Sequence, residues 1–220
     1  MIPIRDVVPT RLTPWATLLL ISVNAGVLIY AVTRSPEDLG ALLHAYGLVP
    51  IDAGLLAPLT SLFLHANAIS GGANLLALWL FGSAVEDRLG PGRFLGMYLT
   101  GGLAGALVAT LTMPDLATPL VGATPAVAAI IGAYLSLFPS SRVLVLVPVP
   151  GLFDAVELPA FFFAGLWLST ELLASAGAII DPGPAAGLVW WTTAIGLATG
   201  LAGQRVLKRP ERMQPGWWSV

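Results

Sequence analysis

Residues 58–84 read PLTSLFLHANAISGGANLLALWLFGSA, a run without one Asp, Glu, Lys or Arg. A helix needs ~20 predominantly apolar residues to cross the hydrocarbon of a bilayer, so this run is long enough to span. Working outward, comparable runs lie at Leu12–Thr33, Phe94–Met113, Val121–Phe138, Leu158–Ala176 and Ala185–Leu207. Six expected spans are thus joined by five connectors. The whole chain agrees: 10% of its residues are charged and its mean hydropathy is +0.84, where soluble domains carry about 25% charged residues. The expected fold is all-α and polytopic, a six-transmembrane-helix bundle. It divides into a cytoplasmic N-terminal segment over 1–14, one membrane domain over 15–207 and a cytoplasmic tail over 208–220.

Orientation follows from Lys and Arg, which are enriched in cytoplasmic connectors. With the N-terminus inside, Arg5, Arg11, Arg88, Arg93, Arg142, Arg205, Lys208, Arg209 and Arg212 are cytoplasmic, and only Arg34 of the ten positive residues lies outside. Both termini are expected inside. The first run is too long for a signal-peptide core and lacks a small-residue cleavage site, so it reads as a retained span. No organelle-targeting leader is recognised, and a bacterial plasma membrane is the expected location.

The same numbers exclude several functions. A net charge of −2 gives no basic field for nucleic acid. The absence of cysteine removes disulfides and thiolate nucleophiles. With His44 and His65 the only histidines, a histidine-based metal cluster is not expected, and neither is a cofactor.

The connector from Arg34 to Ala57 is longer than the others and apolar in Leu42, Leu43, Tyr46, Leu48, Val49, Leu55 and Leu56. Its Pro36 and Pro50, with Pro58 just beyond, predict short helical pieces broken by turns at the membrane surface. Close helix packing in lipid uses small residues. The pairs Gly92/Gly96, Gly101/Gly105 and Gly196/Gly200 read as such positions, and Ser70 and Asn74, four apart, share one helix face. Trp15, Trp217 and Trp218 read as interfacial anchors.

Several strings, in order, carry a resemblance: Thr60-Ser61-Leu62-Phe63-Leu64-His65, then Asn74 through Gly82; Val85-Glu86-Asp87-Arg88-Leu89-Gly90-Pro91-Gly92-Arg93 with Tyr98-Leu99; Gly122-Ala123-Thr124-Pro125-Ala126 through Leu135; Glu157-Leu158-Pro159-Ala160; and Gly187 to Gly200. Together they resemble the rhomboid family of intramembrane serine proteases from about Tyr46 to Leu207. The resemblance implies a rhomboid-like six-helix domain and a serine-type endopeptidase site. Active members open span four with Gly-x-Ser-Gly, and the matching residues here are Gly122, Ala123, Thr124 and Pro125. The family's general-base histidine on span six is matched by Thr193. Of its span-two pair of histidines and asparagine, this chain keeps His65 and Asn74 and has Ser70 at the second histidine position, so Ser70 and Asn74 stand where the family holds the oxyanion.

The residues themselves argue the same way. A hydroxyl needs an adjacent base to become a nucleophile, and Thr193 has no basicity near neutral pH. The Thr124 β-methyl crowds a site shaped for serine, and Pro125 removes an N–H and the freedom of a glycine. His65 is expected to bond backbone in the outer connector, and His44 to lie at the surface. Glu171, the one acid well inside a span, marks a functional site by default; the structural alternative is that it reaches interfacial water or accepts a bond from Thr170 or a neighbouring helix. The expected protein is a pseudoprotease embedded in the lipid bilayer. It binds transmembrane segments of client proteins beside span five, with their polar or helix-breaking part near Ser70, Asn74, Thr124 and Thr193. An active protease using Thr124 with an unusual base is the enzyme alternative. A small transporter fits less well, because inverted halves and rings of intramembrane charge are missing.

Overall fold

The computed structural model describes residues 2–11, 13–149, 152–175 and 187–207. The chain starts in a short strand, β1 (Ile2–Asp6), and enters the bundle through α1 (Trp15–Val32). The long connector is broken as its prolines require. Helix α2 (Pro36–Tyr46) starts on Pro36 with Ser35 accepting the Asp38 N–H as its cap; a single 3₁₀ turn follows at Pro50–Asp52, then the four-residue α3 (Ala57–Thr60).

The second span starts later than its hydropathy suggests. Residues 61–67 form a 3₁₀ turn and an extended stretch, and the spanning helix covers Ala68–Leu89 rather than Pro58–Ala84. Asn67 supplies the reason, since its side chain accepts the Ser70 N–H and fixes a helix start there. The span runs as α4 (Ala68–Ala77), one π turn at Leu78–Gly82, and α5 (Ser83–Leu89). It stops at Gly90, whose φ of +87° favours glycine, and Pro91 opens α6 (Pro91–Thr112).

Helices α7 (Thr124–Leu137), α8 (Ala160–Ser175) and α9 (Leu188–Leu207) complete the bundle. Among the described residues α1, the α4–α5 span and α6 are long and apolar enough to cross a membrane, and α7 is a shorter apolar helix. Trp217 and Trp218 lie outside the described residues. Trp15, at the start of α1, is exposed, as an interfacial anchor should be.

Helix α7 sits in the middle. Every residue from Ala126 to Tyr134 is buried, and it packs against α9, α6 and the π turn. Small residues permit this. A Cβ on Gly101 or Gly105 would strike Ala129 or Pro125, one on Gly196 the Pro125 carbonyl, and one on Gly200 the Ala129 carbonyl. Gly92 and Gly96 differ from that expectation, since nothing lies within 4 Å of a Cβ at either. Large apolar side chains such as Leu19, Leu107, Phe161 and Leu173 remain exposed, the arrangement that suits helices solvated by lipid.

A three-stranded antiparallel sheet departs from the all-helical expectation. Strand β2 (Arg142–Val149) pairs with β1 on one side and β3 (Leu152–Pro159) on the other. Alternation explains it: Val143 and Val145 are fully buried against the bundle while Arg142 faces out towards Glu157. The sheet also takes Leu158 and Pro159 from the start of the fifth expected span, so α8 begins at Ala160.

Candidate functional site

The site forms where α7 begins. Gly122 has a φ of +137° and donates its N–H to the Ser61 carbonyl, 3.0 Å away, so the backbone turn that aims the helix start needs a glycine here. Thr124 is the first residue of α7 and Pro125 the second. Proline costs little there, because its N–H would have had no intrahelical partner. The glycine freedom expected at position 125 is therefore used at 122 instead.

Four side chains converge on Thr124 from two other helices. Its hydroxyl donates to Glu171 Oε2 at 2.6 Å. Ser70 Oγ donates to the same carboxylate, 3.1 and 3.0 Å from its two oxygens. Asn74 Nδ2 lies 3.4 Å from Glu171 Oε1 and 3.3 Å from Thr124 Oγ1. Trp167 Nε1 donates to Asn74 Oδ1 at 3.3 Å and fixes the orientation of the amide. Glu171 is 4% exposed, so its carboxylate is held by side-chain donors rather than by water. Of the bonds weighed from sequence, the one from a neighbouring helix is present; Thr170 bonds the Trp167 carbonyl instead.

Thr193 does not join the cluster. It is buried on α9, three residues before Gly196 and so on the face that packs against α7, and its hydroxyl has no hydrogen-bond partner. The neighbouring Thr192 faces the cavity. His65 is 2% exposed, with both ring nitrogens buried and the Phe63 backbone beside it. Burial pushes its imidazole below the ordinary value. His44 lies at the surface, with Nδ1 2.9 Å from the Gly40 carbonyl.

A cavity of about 230 Å³ opens beside the cluster, with His65, Ser70, Thr124, Glu171, Gly105 and Thr192 in its walls. Among the described residues no three His, Cys, Asp or Glu side chains converge as metal ligands.

A protease aims N–H donors at the place where negative charge develops on the scissile oxygen. Here the amide of Asn74 is already engaged by Thr124 and Glu171, and a carboxylate occupies the donor's neighbourhood. Glu171 accepts from three donors, the Thr124 hydroxyl among them.

The bundle is apolar and carries a hydroxyl at a helix start beside a cavity. The Rhomboid domain matches residues 53–209, and the chain belongs to that family and is an integral membrane protein. Rhomboid protein 1, mitochondrial, from Saccharomyces cerevisiae is 37% identical over 97 residues, covering 41% of this chain and 28% of its own length. Rhomboid protease GluP from Bacillus subtilis is 38% identical over 84 residues, 38% of this chain and 16% of its own. The human presenilin-associated rhomboid-like protein, mitochondrial, is 26% identical over 129 residues, 56% of this chain and 34% of its own. These matches cover at most about a third of each relative's length.

Sequence reasoning names Thr124, Ser70 and Asn74, and they do meet. It misses Trp167 and the part played by Glu171 in binding all three. The signal is present: Trp167 and Glu171 are four apart on α8 and so share a face, at a place where an acid inside a span needs partners.

Proposed function

We propose that this rhomboid-family protein is a non-proteolytic binder of transmembrane segments of other membrane proteins, with a client helix docking beside α8. The observation that carries the reading is the Glu171 carboxylate bonded to Thr124, Ser70 and Asn74. It puts carboxyl oxygens, and no free donor, where peptide hydrolysis would build negative charge. An orientation with both termini in the cytoplasm is supported by the distribution of Arg and Lys and is tested with reporter fusions at each terminus.

A second reading is favoured by one contact. The Thr124 hydroxyl lies 2.6 Å from a carboxylate, within general-base reach, so a threonine–glutamate pair is the form an active protease would take here. Against it stand the occupied Asn74 amide and the missing Pro125 N–H.

The two readings separate in one experiment. A photo-cross-linker at Phe162 on α8, exposed beside the bundle, is presented with a defined single-pass segment in liposomes. The proposal expects a cross-linked adduct with the segment intact. Adducts absent, or segments cut in a manner that requires Thr124, would reject it.

A further inference from the structure

Helix α8, which carries Trp167 and Glu171, is held to the second span at two levels. Its inward face is Ala160, Phe163, Ala164, Trp167 and Glu171, all buried, and it packs chiefly against α4. The bond from Trp167 to Asn74 and those from Ser70 and Asn74 to Glu171 make a direct hold. At the start of α8 the hold is indirect. The Ala160 N–H bonds the Ser141 carbonyl at 3.0 Å, β3 leads straight into the helix, β2 pairs with β3, and β1 pairs with β2. Strand β1 closes this series of contacts. Trp79 Nε1, in the π turn of the second span, donates to the Ile4 carbonyl at 2.9 Å, and the Arg11 N–H donates to Asp87 Oδ1 at 3.0 Å.

The two levels differ in how easily they part. The bonds of Glu171 to Asn74 and Thr124 are buried, whereas those of Trp79 and Arg11 lie at the exposed surface, where water replaces a lost partner at little cost. Strand β1 is also irregular: its register with β2 shifts between Pro3 and Arg5, and Pro3 has no N–H to give. Beside it lies a cavity of about 670 Å³ with Asp6, Val8, Pro14, Trp79, Ser83 and Leu144 in its walls, so little packing backs the strand. Segments with exposed bonds and sparse packing are the first to open. We infer that β1 is a releasable strap: while it is paired, the β2–β3 hairpin holds the start of α8 against the second span, and its release lets α8 lean away from α4 and admits a larger group to the cavity at Thr124. This rests on the proposed function for what enters, while the movement itself is measured without a client, so each can fail alone.

The chain has no cysteine, so a single introduced cysteine reports one place. Ala164→Cys probes the inward face of α8 and Val127→Cys the middle of α7, both buried positions, and each is labelled with N-ethylmaleimide in protein reconstituted in liposomes. The strap is released in two ways. Val7→Pro with Trp79→Phe removes the N–H groups that bond the Arg142 and Ile4 carbonyls, and deletion of residues 2–8 removes the strand outright. The inference expects Ala164→Cys to react about tenfold faster on release by either route, with Val127→Cys equally slow throughout. Unchanged Ala164→Cys labelling in the deletion, or in the double variant if the deletion does not fold, overturns it. Faster labelling at both cysteines is a general loosening and overturns it as well. The proposed function is read separately, from the adduct at Phe162; loss of that adduct with the labelling difference intact rejects the binding reading and leaves the strap standing.

Discussion

Glu86 and Glu171 are buried carboxylates at 2% and 4% exposure in the same apolar bundle, and they are held in opposite ways. Glu86 lies near the end of the second span. It accepts the Ala16 and Thr17 N–H groups at 3.0 and 2.7 Å and the Thr17 hydroxyl at 2.7 Å. Those N–H groups belong to the first turn of α1, which has no side-chain cap of its own from Pro14, so the carboxylate caps the helix and meets the positive end of its dipole. Glu171 is held near the start of the same span, about 24 Å away along a helix rising 1.5 Å per residue. Its donors are side-chain hydroxyls and an amide, with no backbone N–H among them. One acid is completed by the fold; the other is left facing a cavity.

That difference is open to attack. Glu86→Ala strands three donors at the start of α1 and should destabilise the protein by about 3 kcal/mol, read by equilibrium unfolding in mixed micelles. Glu171→Gln, measured in the same way, should change stability by about 1 kcal/mol or less, because replacing a buried charge with a neutral isostere removes a desolvation penalty as well as bonds. Equal losses would erase the distinction between a structural carboxylate and a binding one.

The packing behind the site comes next in size. Gly200→Ala drives a Cβ into the Ala129 carbonyl of α7 and should cost about 2 kcal/mol. Gly96→Ala, in open space on α6, should stay within about 0.5 kcal/mol or be mildly stabilising. Similar effects at the two glycines would mean that α9 does not fix the start of α7, and with it Thr124.

Membership of the cluster is a smaller effect. Thr124→Val removes a donor from Glu171 and should cost about 1 kcal/mol, whereas Thr193→Val, which removes a hydroxyl without a partner, should be neutral or slightly stabilising. A larger loss at Thr193 than at Thr124 would place the working hydroxyl on α9.

Asp6 supplies a third carboxylate and the smallest effect. Burial pushes its pKa up, the Val8 N–H bonds one oxygen at 3.1 Å, and Oδ2 has no partner. A carboxyl whose folded pKa is raised binds its proton more tightly when folded. Its contribution is present below the ordinary carboxylate range and is lost as pH rises through the raised value. Asp6→Asn should flatten that fall in stability, seen by comparing unfolding at acid and neutral pH; an unchanged slope would assign it to another group.

Much of the fold is legible in the amino-acid sequence. The apolar runs locate the helices because hydrocarbon solvates only apolar side chains, and Ser70 and Asn74 share a face because helix faces follow from spacing. The start of the second span escapes hydropathy, which does not register an N-cap, and Asn67 decides that boundary. The sheet is hidden for a related reason. Its strands read Arg142 to Val149 and Leu152 to Pro159 as apolar sequence between spans, although the alternating Val143 and Val145 carry a period of two. The bonds of Glu171 join residues 47 to 101 positions apart, and no local pattern reports such a meeting. Thr193 stands apart from the cluster because a residue type suggests what it can bond, while only packing decides whether it does.

The most direct measurement is cleavage itself. Purified protein in liposomes is given a substrate of a rhomboid protease at enzyme excess, and product is quantified for the wild type, Thr124→Val and Glu171→Gln. The account predicts no product above the protein-free background in all three. Wild-type cleavage that is lost in both variants would show that Thr124 and Glu171 form a working nucleophile and base, and would contradict it.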